Sequence, residues 1–211
     1  HYRLGTLIQR VADVLGRRVT YVASGDLSHK LTKDGPYGFA PEGPEFDRIV
    51  CDAFLSGDFL PLLAMSPRLA ERAAECGLRS FQMMAGALDQ TEIHPELLSY
   101  EGPFGVGYAV AAFTPCGPER SCPKRDYLNV YEKARAHEQS ERRASEDPYV
   151  RLARLSLETH VRDGGRVRLP DDLPKDLTLP DELTTTQAGC FVSLKKDGEL
   201  RGCIGTIAPT R

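Results

Sequence analysis

A strongly charged stretch over residues 126–147 separates the apolar patterns of this chain into two groups. Its charged side chains include Glu132, Lys133, Arg135, Glu138, Glu141, Arg142, Arg143 and Glu146. The stretch follows a proline-containing loop that holds Cys116 and Cys122, and we interpret it as a linker or an exposed helix. The sequence therefore predicts two domains, over residues 1–115 and 147–211, joined by a charged linker over residues 116–146.

The first group of apolar residues combines helix and strand patterns. The predicted elements are helices over 4–15, 45–56 and 67–76 and strands over 19–23 and 105–113. Residues 78–88 form an apolar run whose periodicity leaves helix and strand open. This order of elements predicts a domain of the α/β class.

The second group predicts a smaller α+β unit. A helix opens at Asp147-Pro148, because proline is favourable in the first helical turn. A strand over 189–194 and another from Glu199 are joined by a turn at Lys196-Asp197-Gly198. Residues 147–211 are few for a stable core, and the first unit starts directly on a helix. We therefore expect both units to be parts of longer domains.

Composition excludes some classes of function. The chain has 27 basic and 30 acidic residues and a net charge of −3, which gives no reason to expect a nucleic-acid partner. No apolar run approaches the roughly 20 residues needed to span a bilayer, and the start of the chain lacks a signal-peptide pattern. Six cysteines are scattered, and Cys51, Cys190 and Cys203 lie in apolar or strand-like settings typical of buried free thiols. These features predict a cytoplasmic protein with no membrane partner.

His29 is the best candidate for a functional residue. It follows the predicted strand over 19–23, after Ser24-Gly25-Asp26, and a long loop rich in turn residues comes next. Imidazole titrates near neutral pH and can transfer a proton in catalysis. The alternative is a surface-loop histidine that bonds only to backbone.

Two further groups of residues are candidates. Glu75 and Cys76 end the predicted helix over 67–76, where either side chain could bind a metal, although a solvated glutamate is the commoner case. The second group is the possible site formed by Arg201, Gly202, Cys203 and Gly205. Its glycines would admit a ligand close to the backbone, and an arginine beside a thiol favours reactivity. The alternative is a glycine-containing strand with a buried cysteine.

The motifs around these residues resemble known families. Those of the first unit are Ser24-Gly25-Asp26-Leu27-Ser28-His29, Gly35-Pro36-Tyr37-Gly38-Phe39, Pro41-Glu42-Gly43, Phe46-Asp47, Glu75-Cys76-Gly77-Leu78-Arg79 and Gly102-Pro103-Phe104-Gly105-Val106-Gly107-Tyr108. They resemble the class III extradiol ring-cleavage dioxygenase (LigB) and Memo-like family over roughly residues 1–115. Gly189 to Lys196 and Leu200 to Thr206 resemble the AMMECR family. A chain with both in this order is similar to fused AmmeMemoRadiSam proteins, which implies a radical-SAM protein as partner.

The resemblance implies a partial LigB/Memo-like α/β domain and a partial AMMECR domain. In the first, His29 would be the acid/base histidine and Glu75 the carboxylate ligand of a non-haem Fe(II), with Cys76 as the alternative ligand. The family's two further histidine ligands precede the His29 motif and have no counterpart here, so we expect this chain alone to be inactive. The parent protein would cleave or bind a catechol-like aromatic molecule. The alternative is a non-catalytic, Memo-like metal- or ligand-binding protein that serves the radical-SAM partner.

Overall fold

The chain forms two compact units, His1–Arg135 and Ala136–Arg211. The structure is a computed structural model that describes residues 1–117, 122–196 and 198–209. Helices and small antiparallel sheets occur together, so the expected α/β class is confirmed. The predicted domain limits at residues 115 and 147 remain predictions.

The first unit combines helices with a two-stranded sheet, and its second helix packs against the first strand. In chain order its elements are α1 (Tyr2–Val14), α2 (Glu42–Ser56), α3 (Leu60–Ala64), α4 (Pro67–Ala73), α5 (Leu78–Ala87), β1 (Ile93–Glu101) and β2 (Tyr108–Pro115). The strands β1 and β2 pair antiparallel, with a register shift between Leu97 and Ser99. Helix α6 (Tyr127–Ala144) begins in this unit and continues into the next.

Helix α2 lies at the centre of the core. Phe46 and Phe54 are buried on it, and Phe54 packs edge-to-face against Phe81 of α5 and Phe113 of β2, with ring centroids 5.2 and 5.5 Å apart. Burying one such side chain stabilises a fold by about 1.5–3 kcal/mol. Because these rings fix α2, the neighbouring Asp47 is held in the interior, where it contacts the loop that carries His29.

The periodicity of the first unit predicts its helices well. The expectations over 4–15 and 45–56 are confirmed by α1 and α2, and the open run over 78–88 is the helix α5. The helix expected over 67–76 is shorter, because α4 ends at Ala73 and the next residue, Ala74, has left-handed backbone angles. Glu75 and Cys76 therefore lie in the loop between α4 and α5.

The strand predictions of the first unit are less accurate. The strand expected over 19–23 is wrong: Tyr21 and Ala23 pack toward the core and Val22 is exposed, but the backbone has no ladder partner among the described residues. The strand expected over 105–113 begins later, at Tyr108. Strand β1 was not predicted, because Pro95 within it weakens the strand signal.

The second unit contains α7 (Pro148–Asp163), α8 (Glu182–Thr185), β3 (Cys190–Lys196) and β4 (Glu199–Thr206). The carboxylate of Asp147 accepts the Val150 amide at 2.9 Å and caps α7 as expected. β3 and β4 form the expected antiparallel hairpin, although Asp197 of the expected turn lies outside the described residues.

The charged stretch is largely the helix α6, so the exposed-helix interpretation is correct. In the part of the chain that the structure describes, no helix is both long enough and apolar enough to cross a membrane.

Candidate functional site

Backbone hydrogen bonds fix the loop that carries His29. Leu27 donates its amide hydrogen to the Gly107 carbonyl at 2.9 Å, and Gly107 donates to the Ser28 carbonyl at 2.8 Å. The amide of His29 itself donates to the Ala73 carbonyl, at the end of α4, at 3.0 Å. The loop is therefore tied to the turn before β2 on one side and to α4 on the other.

A buried carboxylate forms a hydrogen bond with the same loop. Asp47 is 1% exposed, and its two oxygens accept hydrogen bonds from the Ser28 amide and the Tyr100 hydroxyl, each at 2.7 Å. Burial raises the pKa of the Asp47 carboxyl above its ordinary value, although both hydrogen bonds act in the opposite direction. Because Asp47 is buried and bonded on both oxygens, it holds Ser28, and with it the start of the His29 segment, in one place.

Two glycines bring the loop before His29 against the loop that contains Cys76. A Cβ atom on Gly25, whose φ is +155°, would overlap the Cα of Gly77, so the two backbones touch directly. Across this contact the amide of Asp26 donates to Cys76 Sγ at 3.2 Å. Two segments distant in sequence thus present their side chains to one small region.

Asp26, His29 and Cys76 form a cluster of three groups that can ligate a metal. One oxygen, one nitrogen and one sulfur from these side chains all lie within 4.8 Å of one another. The side chain of His29 is 17% exposed, that of Asp26 is 42% exposed, and Cys76 is exposed, so the cluster is open on one side. We refer to these three residues as the metal-ligand triad.

The hydrogen bonds of His29 determine its tautomer. Its Nδ1 bonds to the Ala74 carbonyl, which can only accept, so Nδ1 carries a hydrogen. Its Nε2 lies 3.3 Å from Asp26 Oδ2. A neutral imidazole would present the Nε2 lone pair to a carboxylate, and two acceptors repel each other unless a cation lies between them. Either a proton on Nε2 or a shared metal ion satisfies this arrangement.

Tyr37 lies beside the triad. Its ring packs edge-to-face on the imidazole of His29, with ring centroids 5.3 Å apart and ring planes inclined by 62°. Tyr37 is 62% exposed, so it lies largely in solvent next to His29.

Sequence reasoning identified two of the three triad residues. Asp26 was missed, although its position three residues before His29 in one loop was the available signal.

Glu75 accepts the Leu78 amide at 2.6 Å and so caps the start of α5. The structure does not bring Glu75 into the triad, and its assignment as a metal ligand remains a prediction.

The possible site in the second unit lies on β4. Arg201 falls at the register shift of the hairpin, since Gly202 pairs with Leu194 and Leu200 pairs with Lys195. Cys203 pairs with Ser193 across the hairpin, with Oγ and Sγ 3.4 Å apart. A side chain on Gly205 would overlap the backbone of β3, so this glycine permits strand pairing. A ligand-binding role for these residues remains a prediction.

The cysteines differ from the expected burial. Cys190 and Cys203 are exposed in the described structure, so burial is wrong for them, because the hairpin that carries them is exposed along its length. Cys51 is partly buried on α2, and burial together with the nearby carboxylates of Asp47 and Asp52 raises the pKa of its thiol to about 11.

Comparison with known proteins identifies the two parts of the chain. Residues 1–111 match the family model described as the catalytic LigB subunit of aromatic ring-opening dioxygenase, and residues 150–211 match the AMMECR1 model. The first range covers the metal-ligand triad, and the second covers the hairpin of β3 and β4.

Curated relatives match nearly the whole chain or a shorter stretch of it. A protein from Clostridium acetobutylicum is 37% identical over 208 residues, which are 99% of this chain and 42% of that protein. Proteins from Methanothermobacter thermautotrophicus and Thermotoga maritima are 42% and 48% identical over 62 and 67 residues, or 29% and 31% of this chain and 29% and 35% of theirs. The chain thus spans less than half the length of the curated relatives it matches. Since a single family model covers more than half of it, the chain belongs to the family of the catalytic LigB subunit of aromatic ring-opening dioxygenases, with an AMMECR1 region following.

Proposed function

We propose that the LigB-family unit binds a divalent transition-metal ion through Asp26, His29 and Cys76. The observation that carries this proposal is the triad itself, in which three possible ligand atoms lie within 4.8 Å of one another. Imidazole, carboxylate and thiolate together suit Fe(II), Zn(II) or Co(II). A metal between Nε2 and Oδ2 would also relieve the repulsion between two facing acceptors.

We further propose Fe(II) as the natural ion, and cleavage or binding of a catechol-like molecule as the activity of the parent protein. The description of the matched family supports this, since it is a ring-opening dioxygenase family. When bound, ferrous iron supplies the redox chemistry that ring opening by dioxygen requires. With the Nδ1–H bond to Ala74 keeping the ring oriented, His29 would present Nε2 to the metal as a ligand. The alternative is that Nε2 stays free of the metal and accepts the proton of a substrate hydroxyl, and Asp26 and Cys76 then hold the ion without it.

The donor set also supports a second function. The triad contains a thiol beside its imidazole and carboxylate, whereas the iron site of two histidines and one carboxylate in dioxygenases contains no thiol. This difference favours a Memo-like metal- or ligand-binding protein, for which a radical-SAM protein is the proposed partner. A reducing cytoplasm is the proposed compartment, because it would keep the exposed Cys76 thiol available for a metal.

Anaerobic metal titration tests the binding proposal. The chain is titrated with Fe(II), and with Co(II) as a spectroscopic probe whose bond to sulfur gives a charge-transfer band. We expect stoichiometric binding, with loss of the band in Cys76→Ala and weaker binding in Asp26→Ala. Cys203→Ala serves as a matched control, because Cys203 is also an exposed free cysteine but lies on β4. No binding above background, or equal loss in the Cys203 control, would contradict the proposal.

His29→Gln distinguishes the two roles of histidine. If His29 is a ligand, the substitution lowers Co(II) affinity by about 10–100-fold, as other changes around metal sites do. If His29 is an acid/base and not a ligand, the Co(II) affinity is unchanged.

The expected inactivity of this chain is tested separately with the Fe(II)-loaded protein and protocatechuate. A ring-opened product would refute it.

A further inference from the structure

An exposed aromatic side chain beside a polar cluster needs an explanation. Tyr37 contacts His29 through an edge-to-face pair, yet the residue remains 62% exposed. Core packing does not hold it, since Tyr37 is absent from the buried cluster around α2. Exposure of an aromatic ring to water costs free energy. Contact with a flat apolar ligand would remove this cost.

The loop around Tyr37 is held by its backbone. Gly35 donates to the Thr32 carbonyl and Gly38 donates to the Gly35 carbonyl, each at 3.2 Å, while Leu31 and Phe39 form a bridge across the base of the loop. A Cβ on Gly35 would lie 3.1 Å from Gly105 Cα, so this loop rests directly on the turn before β2. The backbone that carries Tyr37 is therefore held by turns in advance of any ligand, and the ring itself packs against His29.

The same turn fixes the loop of His29. Leu31 donates to the Gly105 carbonyl at 3.1 Å, and Gly107 bonds to Leu27 and Ser28. Because both loops are bound to residues 105–107, the distance between the Tyr37 ring and the triad is set by one short segment. A residue placed this way can act as a fixed wall of a binding site.

We infer that Tyr37 is a specificity-determining residue that selects planar aromatic ligands at the metal-ligand triad. A ligand whose oxygens bind the metal beside His29 would place its ring alongside Tyr37, which contacts the His29 ring, within the range of roughly 4.5–7 Å at which aromatic rings interact favourably. A chelating ligand without a ring would gain nothing from this contact. The inference rests on the proposed metal site and adds to it a residue that chooses the ligand.

Binding of two chelators to the Co(II)-loaded full chain tests the inference. Nitrocatechol is the aromatic probe, followed by its own absorption, and acetohydroxamate is a non-aromatic chelator measured by competition. Tyr37→Ala and Tyr37→Leu remove the ring, the second while keeping apolar bulk, and Tyr37→Phe keeps the ring and removes only the hydroxyl. Co(II) affinity and the far-ultraviolet circular dichroism spectrum are recorded for every variant.

We expect Tyr37→Ala and Tyr37→Leu to weaken nitrocatechol binding by roughly 2- to 10-fold, the range that an aromatic pair contributes. Tyr37→Phe should bind as the native chain does, and acetohydroxamate and Co(II) affinities should not change. Equal weakening of both chelators, loss of affinity in Tyr37→Phe, or no nitrocatechol binding to metal-loaded protein would overturn the role of Tyr37 and leave the metal site intact. Absence of Co(II) binding would overturn the metal site and this inference together.

Discussion

Asp47 supports the loop of His29 through a single buried contact, and its removal should destabilise the fold. Asp47→Ala leaves the Ser28 amide without its 2.7 Å partner in a place that water does not reach. We expect the free energy of unfolding to fall by about 1–3 kcal/mol, the cost of an unsatisfied buried donor. Urea denaturation followed by circular dichroism measures it.

Asp52→Ala on the same helix is the matched control. Asp52 pairs with Arg48 at 3.0 Å on an exposed face of α2, where an ion pair is worth about 0–1 kcal/mol. An equally large loss in this control would show that the Asp47 effect reports the removal of any carboxylate from α2 instead of the lost hydrogen bond.

Asp47 should also give the stability a characteristic pH dependence. Burial raises its pKa in the folded chain above the unfolded value. The folded chain therefore favours the protonated carboxyl over the carboxylate. The resulting contribution to stability is fully present below the unfolded pKa and is lost as the pH rises through the folded pKa. Asp47→Asn removes the titration, so the native chain should lose stability relative to Asp47→Asn between strongly acidic and neutral pH. Urea denaturation at several pH values measures this difference, and a difference that grows in favour of the native chain would contradict it.

The sequence identified some of the site residues and missed others, for a physical reason. His29 and Cys76 could be selected because imidazole and thiol groups have few other uses in glycine-rich loops. Asp26 had only the weak signal of its place three residues before His29, and Asp47 had none, since acidic residues are common and only the folded chain shows which carboxylate is buried.

The two loops that carry the triad meet at a contact between glycines, so this contact should control metal affinity. Gly25→Ala would drive a methyl group into the Gly77 backbone and separate Asp26 from Cys76. We expect Co(II) affinity to fall at least about 10-fold, as for other changes that displace metal ligands. Isothermal titration calorimetry measures the change.

Gly38→Ala is the control for backbone strain alone. Gly38 also has a positive φ, of +71°, but a Cβ there would meet no atom within 4 Å. If Gly38→Ala weakens Co(II) binding as much as Gly25→Ala does, the direct approach of Gly25 to Gly77 is not what holds the triad together.

Among the secondary-structure elements, periodicity predicted helices better than strands. The apolar stripes of α1 and α2 repeat every three to four residues and depend only on their own sequence. Strand β1 depends on pairing with β2, and the end of α4 depends on a left-handed alanine at Ala74, which no sequence rule places there. Long-range pairing and unusual backbone angles are decided by the whole fold.

The whole chain contains two candidate sites in separate compact units, and metal binding should affect only one of them. A ligand that binds the native state stabilises it by about 2.7 kcal/mol at 100 times its dissociation constant. Local opening of the binding loops should be suppressed by a similar amount. We therefore expect Co(II) to slow amide hydrogen exchange in the loops over 25–31 and 73–78, measured by mass spectrometry of peptic fragments.

The hairpin of β3 and β4 provides the internal comparison for this experiment. It carries Cys190 and Cys203, both exposed, so it could attract a thiophilic metal without forming a site. If exchange slows in the hairpin and not in the triad loops, the metal centre belongs to the AMMECR1 region, and the triad is only a cluster of polar groups. Protection of the triad loops that disappears in Cys76→Ala, with the hairpin unchanged, would place the centre in the LigB region, because among the described residues only the triad has a carboxylate and an imidazole beside the thiol.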